Sequence, residues 1–505
     1  MDNSAVRSIT IVGGGSSGWM TATFLNRLYN QHRKNVHIRL IESEDFGIIG
    51  VGEATVHSIR YFFAALGISE AELIANTNAT LKTGILFRNW MAPRDGKTHE
   101  YLHPFDSTQQ GGNIDLALAW LSEHEQSQQR QDNNFDSAVS MASELIRQAK
   151  CPKTSFSREY QGMMPYAYHF DATLMARFLR KKACEAGVEH IIANVTEVIC
   201  EGENIVAIET DKGRFDADIY IDCTGFKGLL ISKLKEDNWV SFERELPCNK
   251  AVAIQRDYRE GQIPKPYTTA TALSNGWVWE IDLCHRQGTG YVYDGNRLSR
   301  DEAEAELKQH LGSEQTILKV VHLDMKIGRR KESFVGNCIA IGLSGGFIEP
   351  LESTGLHLIN LAVRLLATHL TARSIPQPIR DAFNRKIAGF YNDLRQFIVL
   401  HYCLTDRRDT EFWCQAAASA THLPEFENKL ALWKHKLCEN ADIDSGFSTI
   451  FTEDNYRYVL YGMGHYPSVS ATFSPFELQE QLRKTKLLNQ QAASQAMTHK
   501  QFLKL

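Results

Sequence analysis

No stretch of this sequence is apolar for long enough to span a bilayer, which argues against an integral membrane protein. The start, MDNSAVRSITIVGGG, lacks the pattern of a signal peptide, because its apolar residues lead directly into glycines. Acidic and basic residues almost balance, and the formal net charge of -5 does not favour binding to nucleic acid or to an anionic membrane. These absences predict a cytoplasmic protein that binds neither nucleic acid nor membrane.

The ten cysteines include no CxxC pair, which argues against a zinc ribbon and against a thioredoxin-like redox site. We therefore expect that most of them are buried, reduced thiols and that the protein has no metal site. A hydrophobic content of 43% and a charged content of 23% are typical of a soluble globular protein. At 505 residues the chain is too long for one compact core, so two or three interlocked lobes are expected.

The first informative feature is a glycine loop between a predicted strand and a predicted helix. Residues 8–12 (SITIV) read as a buried parallel strand, and the helix follows GGGSSG. Gly13 permits the tight turn, Gly15 lets a pyrophosphate approach the backbone, and Gly18 lets helix and strand pack closely. With Ser16, the amides at the helix start form a predicted phosphate site.

A second predicted strand ends at Glu42, 24 residues after Gly18, where dinucleotide-binding folds place an acceptor for a ribose hydroxyl. This spacing indicates an ADP-containing dinucleotide, FAD or NAD. Two later glycine-containing loops favour the longer FAD. The residues expected to contact it are Val51, Gly52, Glu53 and Ala54 in one loop and Gly342 and Leu343 in the other.

Two tryptophans stand two residues apart in the segment GWVWEIDL. In a strand, Trp277 and Trp279 would point to the same face of a sheet. From this segment alone, they could either fill a core or wall off a reactive site.

Several different motifs follow one another along the chain. They are GVGEAT (50–55), LKTGILFRNW (81–90), HPF (103–105), YHFDATLMARFL (168–179), YIDCTGFKG (220–228), GWVWEI (276–281), FIEPLESTG (347–355) and HYCLTDRRDTEFW (401–413). Together they resemble the flavin-dependent tryptophan halogenase family. The family signature WxWxIP matches here except that Asp282 stands in place of the proline.

The resemblance implies that a separate flavin reductase supplies reduced FAD, and that oxygen and chloride or bromide then yield hypohalous acid. The halide site would lie at the backbone of Thr354 and Gly355, and amides at a helix start suit an anion. Trp277 and Trp279 would separate the aromatic substrate from the flavin.

Three side chains match the catalytic positions of the family. Lys82 would hydrogen-bond hypohalous acid or form a haloamine, although the local sequence also suits a solvated helix lysine. Glu352 would stabilise and deprotonate the cationic ring intermediate; alternatively it is an ordinary acid at a helix start, and Glu349 is a neighbouring candidate. Ser353 would support the lysine or the electrophile by hydrogen bonding.

His103 and Phe105 would contact the aromatic substrate, together with Tyr456 from the C-terminal segment. In that segment Arg457 interrupts the adjacent tyrosines of enzymes that hold free tryptophan. Glu453 and Asp454 are candidates for binding a substrate amine. The substrate is therefore expected to be indole, a tryptophan-like compound or a larger aromatic.

The predicted fold class is α/β, a Rossmann-like flavoprotein monooxygenase-type fold with an inserted substrate-binding sheet and a helical C-terminal region. Residues 1–375 would form the FAD module, with the substrate sheet interleaved at about 100–155 and 236–330. Residues 376–505 would cap the substrate pocket, and a homodimer is expected. The alternatives are an FAD-dependent aromatic hydroxylase and, in another class, a non-catalytic flavin-binding protein.

Overall fold

The computed structural model describes residues 5–44, 52–107, 114–126, 134–443, 450–469 and 473–504. Its first eleven strands are β1 (Ser8–Val12), β2 (His37–Glu42), β3 (Glu53–Ala54), β4 (Thr80–Lys82), β5 (Gly84–Arg88), β6 (Glu100–Pro104), β7 (Ala167–Phe170), β8 (Glu189–Ile192), β9 (Val195–Glu201), β10 (Asn204–Thr210) and β11 (Gly213–Phe215). The others are β12 (Ile219–Asp222), β13 (Val240–Ser241), β14 (Lys250–Arg256), β15 (Thr268–Ala272), β16 (Gly276–Asp282), β17 (Gln287–Tyr293), β18 (Ile317–Asp324), β19 (Gly328–Arg329), β20 (Phe334–Val335), β21 (Cys338–Ala340) and β22 (Gly346–Phe347).

The helices of the first two thirds of the chain are α1 (Ser16–Asn30), α2 (Ile59–Ala65), α3 (Glu70–Thr77), α4 (Leu116–Gln126), α5 (Phe135–Val139), α6 (Met141–Arg147), α7 (Ala172–Glu185), α8 (Ile231–Leu234) and α9 (Arg300–Leu311). The later helices are α10 (Gly355–His369), α11 (Gln377–Cys403), α12 (Glu411–Ala416), α13 (Pro424–Leu432), α14 (Asn440–Ile443), α15 (Glu453–Gly462), α16 (Pro475–Gln495) and α17 (His499–Leu503).

The chain divides into two compact units, each made of three segments. The first unit comprises Met1–Ala79, Phe170–Phe242 and Met325–Asn392. The second comprises Thr80–His169, Glu243–Asp324 and Asp393–Leu505.

A six-stranded sheet forms the centre of the first unit, in the order β20-β21-β12-β1-β2-β8. Only the pairing of β20 with β21 is antiparallel; β1, β2, β8, β12 and β21 run parallel. The short apolar run of β1 is almost fully buried, as expected for a parallel strand covered on both faces. This parallel sheet, with a glycine loop between β1 and α1, confirms the predicted Rossmann-like α/β fold.

A three-stranded antiparallel sheet, β11-β10-β9, belongs to the same unit. Its hairpin turns at Asp211 and Lys212, and β10 pairs with β11 from Ile208 opposite Phe215 to Thr210 opposite Gly213. Ile205 and Ile208 of β10 join a buried apolar cluster with Tyr220 of β12.

A seven-stranded sheet dominates the second unit, in the order β18-β14-β17-β16-β15-β5-β6. All neighbours are antiparallel except β15 and β5. One face is covered by α9, whose Ala303, Leu307 and Leu311 pack in one cluster with Val278 and Tyr291. Every second side chain of the central strands therefore points toward this apolar core. The side chains between them point to the opposite face of the sheet.

Helices predominate among the described residues from 377 onward, in agreement with the apolar spacing of the sequence. Capping boxes begin three of these helices, at Thr452, Ser474 and Thr498. In the part of the chain that the structure describes, no helix has both the length and the apolarity needed to cross a membrane.

Candidate active site

A cavity of about 870 Å³ opens at the carboxyl ends of β1, β2 and β12 in the first unit. This edge is where parallel α/β sheets bind their ligands. Many of the residues predicted to bind the cofactor line it. They are Gly13, Gly15, Ser16, Glu42, Glu53, Gly342 and Leu343.

The glycines of the first loop serve different purposes. Gly13 has a φ of 111°, and a Cβ there would lie 2.2 Å from the carbonyl oxygen of Cys223. Gly18 does not line the cavity; a Cβ on it would lie 1.9 Å from the Gly13 carbonyl oxygen, so it permits close packing. Around a Cβ placed on Gly15, by contrast, no described atom lies within 4 Å. Gly15 therefore leaves space for a ligand, whereas Gly13 and Gly18 serve the fold.

The amino end of α1 faces this loop with Gly15 as its N-cap. Its first turn carries no acidic residue and, among the described residues, no side chain caps it. Its backbone N–H groups and the helix dipole suit the phosphates of a dinucleotide. The residues present therefore fit a dinucleotide cofactor.

Glu42 is held at the end of β2 by a histidine and an arginine. Its Oε1 atom lies 2.7 Å from Nε2 of His190 and 3.6 Å from a guanidinium nitrogen of Arg180. Its other oxygen lies 1.4 Å from where a Cβ on Gly14 would stand, so the carboxylate lies directly against the glycine loop. This position is compatible with an acceptor for a ribose hydroxyl.

In the second predicted cofactor loop, Glu53 lines the cavity, whereas Gly52 and Ala54 do not, and Val51 lies outside the described residues. Burial raises the pKa of Glu53 to about 7, and the charge of Asp171 adds to this shift. Asp171 itself caps α7, because its carboxylate accepts hydrogen bonds from the backbone N–H groups of Thr173 and Leu174. Asp171 was not among the predicted site residues, although an acid directly before a helical pattern is a capping signal.

The predicted halide and acid residues meet at the start of α10. Glu352 closes a short 3₁₀ turn and is 3% exposed, so it precedes the helix rather than belonging to it. Ser353 follows with a φ of 59°, a left-handed conformation that is uncommon for a residue with a side chain. Thr354 is the N-cap and Gly355 lines the cavity. Glu349 is fully buried one turn earlier.

Lys82 lies in the second unit, at the end of β4 opposite Ala167 of β7. It is fully buried, so the alternative of a solvated helix lysine is wrong. Its ammonium nitrogen lies 5.4 Å from the ring centroid of Phe105, within the range of a cation–π interaction. The structure thus brings two predicted site residues together.

A buried histidine that was not among the predicted site residues lies near Lys82. His169 stands opposite Thr80 on the neighbouring strand, and its ring nitrogens lie 3.2 Å from the Thr80 hydroxyl and 2.8 Å from the Thr268 hydroxyl. The Thr80 hydroxyl donates a hydrogen bond to the carbonyl oxygen of Asp282. Burial lowers the pKa of His169 well below its usual value, and the charge of Lys82 lowers it further. His169 is therefore neutral.

His103 lies on β6 and is also buried. Its Nε2 atom is 3.0 Å from the side-chain nitrogen of Asn455, a residue that the sequence analysis did not select. Its ring lies 5.6 Å from that of Phe397, and the ring of Tyr456 lies 4.9 Å from the ring of Phe397. Phe397 therefore connects two of the predicted substrate residues.

The charged residues of α15 have partners of their own. Arg457 is buried; it donates to a carboxylate oxygen of Asp115 at 3.0 Å and to the carbonyl oxygen of Cys438 at 2.9 Å. Asp454 accepts a hydrogen bond from Ser107 at 2.8 Å. Arg457 thus anchors the helix, and sequence alone gave no sign of this because Asp115 is 342 residues away.

Trp277 and Trp279 lie on β16 with ring centroids 6.2 Å apart and planes at 59°. Both are buried. Beyond them, Asp282 accepts the backbone N–H of Lys265 at 2.8 Å and the side-chain amide of Gln287 at 2.7 Å. The carboxylate at the position of the family proline therefore secures the end of this strand.

Each of the two units contains some of the predicted site residues. The first holds the cavity-lining residues and the segment from Glu352 to Gly355, and the second holds Lys82, Phe105, His103, Tyr456 and the two tryptophans. Phe226, within the motif YIDCTGFKG, and Tyr391, which had no recognisable sequence signal, also line the cavity. No group of three or more histidine, cysteine or acidic residues in the described ranges is arranged to hold a metal.

Comparison with known proteins identifies the family of this chain. A family model described as tryptophan halogenase matches residues 8–475. Tryptophan 6-halogenase SttH of Streptomyces toxytricini is 34% identical over 482 residues, which cover 90% of this chain and 89% of that protein. The chain therefore belongs to the tryptophan halogenase family.

Solved structures agree across almost the whole chain. The crystal structure of SttH from Streptomyces toxytricini superposes with a TM-score of 0.90 at 31% identity, covering 99% of both chains. BrvH, a flavin-dependent halogenase from Brevundimonas sp. BAL3, superposes with a TM-score of 0.87 at 32% identity, again covering 99% of both chains. The protein is thus an enzyme of the flavin-dependent halogenase class, with the corresponding fold.

Proposed function

We propose that this enzyme uses reduced FAD, oxygen and chloride or bromide to halogenate an electron-rich aromatic compound, indole or a tryptophan-like molecule. The observation that carries the proposal is Lys82, a fully buried ammonium group placed over the ring of Phe105. A cation without exposure to water is costly to maintain, and here it stands beside an aromatic wall suited to an aromatic substrate.

FAD would be held in the first unit by the glycine loop, with its phosphates at the start of α1 and a ribose at Glu42. Glu53, Gly342 and Leu343 would complete the wall of the site, and Gly52, Ala54 and Val51 lie in or beside the same loop in sequence. When bound and reduced, the flavin would supply the electrons that activate oxygen. A separate flavin reductase would provide it in that form.

The halide would bind at Thr354 and Gly355. Support comes from the start of α10, where Gly355 lines the cavity and no described side chain caps the first turn. The N–H groups of such a helix start favour an anion.

Lys82 would hydrogen-bond the resulting hypohalous acid or carry the halogen as a haloamine. Attack by the aromatic ring then gives a cationic intermediate. Glu352 would stabilise that cation and accept its proton, and Ser353 would orient the reacting group by hydrogen bonding.

The substrate ring would be bounded by His103 and Phe105, with Tyr456 at the C-terminal side. Trp277 and Trp279 would keep the ring from the flavin. The engagement of Arg457 with Asp115 and of Asp454 with Ser107 supports a substrate that is held by aromatic contacts more than by charged ends.

The test is mass spectrometry of reactions that contain the protein, FAD, NADH, a flavin reductase and oxygen. Indole and tryptophan are offered separately, each with chloride or bromide. We expect a product with the halogen isotope pattern. A product that gains only oxygen would instead indicate an aromatic hydroxylase, and bound FAD with no product from either compound would contradict the proposed substrates. Light scattering during size-exclusion chromatography would test the proposed homodimer.

A further inference from the structure

The two tryptophans of β16 lie on a sheet face whose neighbouring positions carry small residues. Trp279 pairs with Ala270 on β15 and with Gly290 on β17. Directly opposed residues share a face, so Ala270 and Gly290 flank Trp279 on both sides. Val278, between the tryptophans, points to the other face, where it packs in the cluster of α9.

Gly290 lies directly beneath the indole ring of Trp279. A Cβ on Gly290 would stand 2.2 Å from both Cη2 and Cζ2 of Trp279 and 2.8 Å from Cε2. All three atoms belong to the benzene ring of the indole. Gly290 is not among the residues with positive φ. The backbone at this position would therefore accept other residues, and it is the ring of Trp279 that requires glycine.

The indole nitrogen of Trp279 differs from those of two other tryptophans in the same unit. Trp90 donates to the carbonyl oxygen of Ala270 at 3.0 Å, and Trp413 donates to that of Leu273 at 2.7 Å. Trp279 is 7% exposed, and its Nε1 atom is buried without an acceptor among the described residues. A buried donor without a partner is unfavourable unless a bound molecule accepts from it.

We propose that Gly290 is a positioning residue that holds Trp279 in an orientation in which the indole N–H is presented to hypohalous acid or halide. This inference rests on the proposed function. The N–H would retain the oxidant by donating a hydrogen bond to its oxygen or to the halide, so that less of it escapes before it reacts with the substrate.

A double-mutant cycle tests the positioning. The variants are Gly290→Ala, Trp279→Phe and the two combined, with Val252→Ala on the other face of the same sheet as a control. A phenylalanine lacks the second ring that a Cβ on residue 290 would meet. We therefore expect G290A to be damaging when Trp279 is present and to have no further effect in the W279F background.

Two measurements follow each variant. The paired indoles, 6.2 Å apart, should give a coupled circular dichroism signal that G290A alters and V252A leaves unchanged. During turnover, monochlorodimedone in solution captures escaping hypohalous acid, and its halogenation is compared with that of the substrate. We expect several-fold more captured halogen for G290A than for the wild type.

Replacing Trp279 with an amino acid of the same shape tests the hydrogen bond of its indole N–H. This test does not depend on whether G290A folds. β-(3-Benzothienyl)alanine at position 279 keeps the ring but replaces its N–H with sulfur. We expect more escape of hypohalous acid with an unchanged fold. If escape equals that of the wild type, or if G290A has the same effect in the W279F background, the inference is wrong while the proposed function stands. A wild type that yields neither halogenated product nor hypohalous acid would contradict both.

Discussion

At the scale of single residues, two buried lysines of the second unit offer a direct comparison. Lys82 is fully buried with its nitrogen 5.4 Å from the Phe105 ring, and Lys153 is 4% exposed with its nitrogen 4.8 Å from the Tyr166 ring. Their environments are similar in burial and in cation–π contact. If replacing Lys82 lowers halogenation more than replacing Lys153 does, the difference therefore reports the chemistry of Lys82 and not the loss of a buried charge.

We expect Lys82→Ala to lower halogenated product per folded enzyme by at least about a hundredfold, because proton or halogen transfer by a positioned side chain contributes on that order. Lys153→Ala should remain within a few-fold of the wild type once the folded fraction is measured. Product is quantified by mass spectrometry and bound FAD by absorbance. Equal losses in both variants would mean that Lys82 has only a structural role.

The ionisation of Glu53, which lines the cavity, makes the stability of the folded protein depend on pH. Its pKa is raised to about 7 in the folded protein, whereas the ordinary value of 4.5 applies when the chain is unfolded. Between these values the folded state holds a proton that the unfolded state has lost. Its contribution to stability is therefore complete below about pH 4.5 and is lost as the pH rises through about 7.

Glu53→Gln should remove this dependence, so the variant should gain stability relative to the wild type between pH 5 and pH 8. Urea unfolding at several pH values measures the difference. Subtracting the two curves also removes the opposite dependence of His57 and His357, whose pKa values burial lowers to about 4. Glu185→Gln on the surface of α7 is the control, and parallel curves for E53Q and the wild type would refute the linkage.

At the scale of secondary-structure elements, β16 ends with the buried carboxylate of Asp282. Lys265 donates its backbone N–H to one oxygen and Gln287 its side-chain amide to the other. Burial raises the pKa of Asp282, although both hydrogen bonds favour the charged form. The carboxylate thus closes the hairpin between β16 and β17.

We expect Asp282→Ala to lower the free energy of unfolding by about 1–3 kcal/mol, because it leaves two buried donors without an acceptor. Asp324→Ala, at the end of β18 in the same sheet, is the matched control. Asp324 is 63% exposed and pairs with Arg300, so its loss should cost less than about 1 kcal/mol. Urea titration of both variants is the measurement, and similar midpoints would show that the buried contacts contribute little.

Local patterns predicted the elements that carry their own signals. The strand, glycine loop and helix of β1 and α1, the hairpin of β10 and β11, and the helix after Thr354 could all be predicted from a few adjacent residues. The pairing of His103 with Asn455 and of Arg457 with Asp115 could not, because these partners are more than 340 residues apart in the chain. Such contacts arise from tertiary packing, which a local pattern does not encode.

At the scale of the whole molecule, binding of FAD should appear as added stability. A ligand at a hundred times its Kd stabilises the folded state by about 2.7 kcal/mol. Two glycines of the first loop separate the contribution of the ligand from that of the fold. A Cβ on Gly13 would meet the Cys223 carbonyl oxygen at 2.2 Å, whereas around Gly15 no described atom comes within 4 Å.

Gly13→Ala should therefore destabilise the protein without FAD by about 1–3 kcal/mol, because both its φ of 111° and its neighbour oppose a side chain. Gly15→Ala should leave the stability of the free protein within about 1 kcal/mol of the wild type, because its φ of −75° suits alanine and this offsets the weaker preference for alanine at an N-cap. With excess FAD, however, G15A should gain little, because its methyl group would occupy the space into which a pyrophosphate must come. Thermal unfolding with and without FAD measures both effects. If G15A gained as much stability from FAD as the wild type does, the phosphates would have to bind elsewhere than at the start of α1.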